Sequence, residues 1–164
     1  MSSQQEFSTI ASAPIFVVSS DVQIAGGGSL GKIAFQELGG INSEINIEQY
    51  ISAAPGGFIN HSKQFGLVKP PTVTLKRGLD KNLTLWQWHQ MAVAGNPAAR
   101  ADQLTLEVFG GGLGSIGTSK PLVTYMLMSA WCAKINISSA KAGEGFLTED
   151  VVIACDAILL DTGG

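Results

Sequence analysis

The sequence predicts a mainly β protein: a small antiparallel β-barrel or sandwich with one packed α-helix, made to assemble with copies of itself. Three observations carry this. Six or more segments are β-branched or alternating and bounded by turn residues, while only one stretch has helical spacing with punctuation at both ends. The chain has 164 residues, the size of one domain, and shows no internal repeat or interdomain linker. Charged residues make up 14% and apolar residues 45%, against about 25% charged in an ordinary soluble domain. That much apolar composition with so little charge exceeds what one small core hides, and large exposed apolar patches mark interaction surfaces. An oligomer follows.

Taken in order, residues 14–25 are rich in β-branched side chains and end in Gly26-Gly27-Gly28, a strand and a turn. Ser43 to Ile51 alternates, with Ile45, Ile47 and Ile51 on one face and Glu44, Asn46, Glu48 and Tyr50 on the other. Ala53 to Pro71 has Pro55-Gly56-Gly57 at one end and Pro70-Pro71 at the other, and reads as a long loop without periodicity. A loop of that length exceeds a mere connector and belongs to binding or function. Thr72 to Arg77 is a short strand closed by Gly78.

The helix starts at Thr84-Leu85-Trp86-Gln87, which fits a capping box. Leu85, Trp88, Met91 and Ala92 then share one face, and Gly95 with Asn96-Pro97 ends it. Trp86 and Trp88 read as packing between helix and barrel. Leu104 to Phe109 is a strand, and Gly110 to Gly117 a glycine-rich loop. Leu122 to Ser139 is a long β run bent near Ala130–Trp131, and Thr148 to Leu160 closes the chain as a last strand. Residues 1–13 are expected to be an N-terminal arm and 14–164 a single domain.

Several functions fall away on chemistry. The net charge is −3, from 10 basic and 13 acidic residues, with no basic cluster to face phosphates. No apolar run approaches the ~18 residues of a spanning helix, and Met1 to Ser12 lacks the charged and apolar regions of a signal peptide. Cys132 and Cys155 are too few for a four-ligand metal site or a disulfide framework, and both lie in apolar alternating runs as buried thiols. His61 falls in the long loop and His89 on the helix, without a glycine-flanked nucleophile beside either. Glu149-Asp150 reads as a pair of solvated charges at a strand start.

Two glycine motifs imitate nucleotide sites. Gly26 to Lys32 fits a phosphate loop, but Ile33 stands where Ser or Thr would hold Mg²⁺. Gly112 to Gly117 fits a dinucleotide fingerprint, but Pro121 stands where the following helix would run. No catalytic residue, cofactor or metal is expected.

The stretch Pro71-Thr72-Val73-Thr74-Leu75-Lys76-Arg77-Gly78, followed by Leu85-Trp86-Gln87-Trp88, resembles the tail-tube protein family of contractile-tailed phages and phage-tail-like contractile injection systems. That family carries T-L-K-R-G on a strand and then a helix beginning L-x-x-W. Phe16-Val17-Val18-Ser19, Leu38-Gly39-Gly40-Ile41, Glu44 to Tyr50, Val123 to Lys134 and Thr148 to Leu160 are similar to further family segments in the same order. Cys132 replaces the proline usual after the alanine–aromatic pair, and Asp156 is the nearest acid to a glutamate usual in the last strand.

The resemblance implies hexameric rings that stack into a hollow tube, each subunit giving strands to a continuous barrel around the lumen. It implies a structural inner-tube protein and no enzyme, conducting DNA or protein cargo through a target envelope. Its partners would be copies of itself, a contractile sheath protein, and baseplate, spike and cap proteins, with no membrane anchor. Assembly would take place in the bacterial cytoplasm, before the particle is released as a phage tail or injection machine. Alternatives are a tube-initiator or baseplate-adaptor subunit with the same fold, a nucleotide-binding protein using Gly26–Lys32, and a monomeric barrel adaptor. Closing a barrel across subunits removes strand edges that otherwise invite aggregation. The segment Ala53–Pro71 would be the arm that reaches a neighbour. Glu44, Glu48, Lys76 and Arg77 are the candidate inter-subunit contacts, read equally well as solvated charges.

Overall fold

A computed structural model describes residues 14–24, 28–79, 81, 83–111, 120–139, 141–143 and 145–162. The proposed arm at 1–13, the turn residues Gly26 and Gly27, and Gly112–Gly117 lie outside them. Among the described residues the chain forms eight strands and one α-helix. The strands are β1 (Ile15–Gln23), β2 (Ser29–Phe35), β3 (Glu37–Ala54), β4 (Phe58–Gly78), β5 (Ala101–Phe109), β6 (Val123–Ile137), β7 (Thr148–Ala154) and β8 (Ala157–Leu160). The helix α1 (Thr84–Val93) and a 3₁₀ turn (Pro97–Ala99) lie between β4 and β5.

Every pairing is antiparallel, in the order β2-β1-β5-β6-β7-β4-β3, with β8 added on β6. The sheet curls so that its ends meet near Gln36, whose N–H donates to the Lys76 carbonyl at 3.0 Å. Alternation along each strand fills the interior: Val18, Leu104, Leu106, Leu127, Val73, Leu75, Val151 and Ile153 are wholly buried.

Strand β6 makes the curvature. Its first half pairs with β5 and β8, and its second half, from Trp131, pairs with β7. At the changeover Ser129 takes φ 54°, a left-handed conformation that L residues rarely adopt, and the register slips again between Cys132 and Lys134. The bend expected near Ala130–Trp131 is there.

Helix α1 closes one side of the barrel through Leu85, Trp88 and Met91, with Ala92 against the same core. Trp88 is wholly buried and its indole N–H donates to the Ala99 carbonyl at 2.6 Å, satisfying its single donor. Trp86 points the other way and stays partly exposed, so only one of the two tryptophans packs into the core. The capping box does not form. Leu83, not Thr84, occupies the cap position, and no side chain caps the helix there.

Two segments differ from expectation. The closing run is two strands: at Cys155–Asp156 the chain leaves β4 and β6's second half, and β8 crosses to β6's first half. The segment Ala53–Pro71 is not a loop. Pro55-Gly56-Gly57 is the tip of a hairpin, and Phe58 to Pro71 is the outer part of β4, paired back onto β3 as far as Ala54↔Phe58. The short strand Thr72–Arg77 is the inner end of that same 21-residue strand.

Candidate assembly surface

Beyond Asn42↔Thr72 the β3–β4 ribbon leaves the barrel and is solvent-exposed on both faces. Directly opposed residues of an antiparallel pair share a face. The register therefore places Ile45, Val68, Ile47, Phe65, Ile51, Ala53 and Ile59 on one face, with Gln49, His61 and Lys63 among them. The other face carries Glu44, Lys69, Glu48, Gln64, Tyr50, Ser62, Ser52 and Asn60, with Phe58 at the tip.

This two-sided pattern belongs to a strand pair with one face meant for burial, yet no described residue covers it. Phe65 is 91% exposed, Ile47 70% and Ile51 60%. Two register slips, near Asn42/Glu44 and Ile45/Ile47, set the ribbon's twist. Gly66 lies at the second, where a Cβ would come within 2.8 Å of the Asn46 carbonyl oxygen.

The four candidate contact residues divide between this ribbon, called the arm from here on, and its root at the barrel. Glu44 accepts from Lys69 at 2.7 Å within its own ribbon, both side chains half-exposed. Glu48 is exposed on the same polar face, opposite Gln64. Lys76 points outward at the root, its ammonium 3.9 Å from the Glu37 carboxylate.

Arg77 points inward. Its Nε donates to the Glu149 carboxylate at 2.8 Å, with the two side chains only 6% and 2% exposed. Strand alternation explains this, because Val73, Leu75 and Arg77 share the core side of β4 and Glu149 lies opposite on β7. Arg77 is thus an internal partner rather than a solvated or outward charge, and Glu149 is not the solvated edge residue expected. The signal available was the apolar alternation running straight into Arg77.

No catalytic constellation appears among the described residues. Gly31 and Lys32 lie in β2, opposite Ser20 and Ser19. A strand thus follows where a phosphate loop needs a helix N-terminus. The open cleft beside them, about 450 Å³, is lined by Ser19, Ser20, Asp21, Ser29, Lys32 and Gln103, among others. Asp21 lines the same cleft, and its carboxylate repels a phosphate, which speaks against the nucleotide-binding alternative.

His61 sits on the arm within 3.1 Å of the Gln49 amide, while the His89 ring nitrogen meets the Cys132 carbonyl oxygen at 3.0 Å. Both cysteines are buried and unbridged. Burial pushes the Cys132 thiol up to about 12 and the Cys155 thiol up to about 11, so neither is a ready nucleophile. No group of three or more potential metal ligands occurs among the described residues, and no helix there is long and apolar enough to cross a membrane.

Comparison with known proteins agrees with this architecture. No curated protein sequence matches the chain. Solved structures do, at low identity. The chain resembles one from the PVC sheath–tube complex, an extracellular contractile injection system in its extended state. The TM-score is 0.61 at 17% identity, covering 89% of this chain and 87% of that one. A chain from the anti-feeding prophage baseplate gives TM-score 0.65 at 13% identity, covering 98% and 97%. Hcp1 from Salmonella typhimurium gives TM-score 0.51 at 13% identity, covering 89% and 85%. These likenesses show the fold. The family profile of the T4-like virus tail tube protein gp19 matches residues 15–158, and with that match over most of its length the chain belongs to the T4-like tail tube protein family.

Proposed function

We propose that the protein is the inner-tube subunit of a contractile phage tail or contractile injection system, forming hexameric rings that stack into a hollow tube. The observation that carries this reading is the β3–β4 ribbon, which exposes an apolar face that no described element covers. A free two-stranded ribbon is marginal in water, and an exposed apolar strand pair is an aggregation hazard unless a partner covers it. Seating it on a second copy removes both problems. Repetition of such a heterologous contact about and along one axis gives a ring or a filament.

Residues 14–164 act as the tube domain, and the arm, with Glu44 and Glu48 on its polar face, belongs to the contact between copies. Lys76 at its root is the third contact candidate. The sheath, baseplate and cap of such a particle are its further partners, and DNA or protein is the cargo. The tube is mechanical: it performs no chemistry, and the sheath supplies the energy. Particles are assembled in the bacterial cytoplasm and act outside the cell that made them.

The test replaces Ile47 and Phe65 together by serine, both on the apolar face and neither in the barrel core. The variant should keep the melting temperature of the parent and lose assembly by at least tenfold in concentration, read by sedimentation velocity. Unchanged assembly overturns the arm's role.

A further inference from the structure

Helix α1 has a second face without charge. Leu85, Trp88 and Met91 point into the barrel, while Leu83, Trp86, Gln87, Gln90, Val93 and Ala94 recur at helical spacing on the outer side and are all exposed. Residues 83–99 contain no Asp, Glu, Lys or Arg. An ordinary surface helix turns charged residues to water, and one with apolar residues on both sides belongs in an interior. Val93 is nevertheless 73% exposed. Beside Gln87, Gln90 and Ala94 lies an open cleft of about 350 Å³, room for an aromatic side chain.

The placement of this face points to its partner. The arm joins the barrel at Thr72, and from there β4 runs about 20 Å to Gly78 at the other end, where it faces Thr148. At that end the Leu79 N–H donates to the Leu147 carbonyl at 2.9 Å, and Phe146 is 94% exposed. The helix starts there with Leu83 and runs back, its His89 ring meeting the Cys132 carbonyl level with Ile153 and Val73. Exposed apolar groups thus run from the armless end, at Phe146 and Leu83, along the barrel to Val93.

Within one chain the two apolar surfaces do not cover each other. The arm leaves by the opposite end, and both surfaces stay exposed. Copies stacked end to end place the arm of one at the armless end of the next. The arm is about 40 Å long at about 3.3 Å per residue, and the helix about 15 Å, so one arm can run the full length of a neighbour's helix.

We propose that the outer face of α1, from Leu83 to Val93, is the seat for the apolar face of a second copy's arm, the copies stacked head to tail. This rests on the tube reading and names the receiving surface of its subunit contact. The contact joins two different patches, so it repeats along an axis rather than closing in a pair. Ile47, Ile51 and Phe65 of the arm cover Trp86 and Val93. The Gln87 and Gln90 amide oxygens accept from Lys63, the one lysine on that face of the arm.

The experiment uses the full chain and two measurements. Unlabelled chains with a photoreactive benzoylphenylalanine in place of Phe65 are mixed with isotopically labelled parent chains, assembled and irradiated, and the cross-linked peptides are mapped by mass spectrometry. The labelled partner peptides should contain Leu83–Ala94 or Phe146–Leu147. Cross-links to another copy that fall only elsewhere overturn the seat and leave the tube reading intact. The second measurement combines Trp86→Ser with Val93→Glu, both at exposed positions. This variant should keep the parent's melting temperature and lower the assembled fraction at least tenfold in sedimentation velocity. Assembly equal to the parent's overturns the seat and leaves the helix face to a different protein. If the variant does not fold, the cross-links alone decide. A parent protein that stays monomeric at every concentration overturns both the seat and the tube reading.

Discussion

At the residue scale, the buried Arg77–Glu149 pair decides more than any surface charge. Exposed pairs such as Glu44–Lys69 contribute about 0–1 kcal/mol. Removing one partner of a buried pair strands the other charge and costs about 3–5 kcal/mol. Arg77→Met should therefore destabilise the subunit by several kcal/mol in chemical denaturation, whereas Lys76→Met should change it by less than about 1 kcal/mol.

The thiols give a pH prediction. In the folded chain they titrate at about 12 and about 11, above the ordinary thiol value. Between roughly pH 9 and 11 the unfolded chain therefore releases protons that the folded chain retains. Stability is full below that window and falls as pH rises through it. A Cys132→Ala, Cys155→Ala variant should lose less stability than the parent between pH 8 and pH 10.5, measured by urea unfolding at each pH. Equal losses would mean that the thiols are not what the folded state protects.

At the scale of elements, what the sequence made legible was what packs on a core. The helix face of Leu85, Trp88 and Met91 lies where its spacing put it. The strand β5 and the bent β6 carry the periodicity of one buried side, while β1 opens as an unbroken apolar run, Ile15 to Val18, buried on both faces. The β3 half of the arm alternated from Ser43 to Ile51, but its β4 half lacked that signal. A ribbon exposed on both faces has no buried side, so the apolar residues of β4 at Ile59, Phe65 and Val68 read as scattered. They pair with Ala53, Ile47 and Ile45 across the turn, and only that mirror relation identifies the hairpin.

Pro70 and Pro71 also misled, because proline usually ends a strand. Here both fall at a register slip between Glu44↔Lys69 and Asn42↔Thr72, where a missing N–H does no harm. Of the candidate contact residues, charge type was legible but the inward turn of Arg77 was not, since it depends on which face of β4 meets β7. The other slip supplies a prediction. Gly66→Val would press a side chain against the Asn46 carbonyl oxygen and the Glu48 side chain, and backbone cannot yield cheaply. The arm should lose its register and the protein its assembly, while the barrel's melting temperature moves by no more than a few degrees.

At the scale of the whole molecule, one barrel carries an appendage that has no role in holding the barrel together. The core is complete without the outer ribbon: its buried residues come from β1, β2, the root of β4, α1, the 3₁₀ turn, β5, β6 and β7, with Ile24 just beyond β1 and Cys155 just beyond β7. Under the proposed function, this long amphipathic ribbon on a self-sufficient barrel is what joins copies. The low charge and high apolar content of the chain agree with a subunit that lives within an assembly. The central claim is therefore assembly into a tube. Negative-stain electron microscopy of the purified protein over a series of concentrations tests it most directly. The account predicts hollow rings, stacked into tubes as concentration rises; small monomeric particles at every concentration would contradict it.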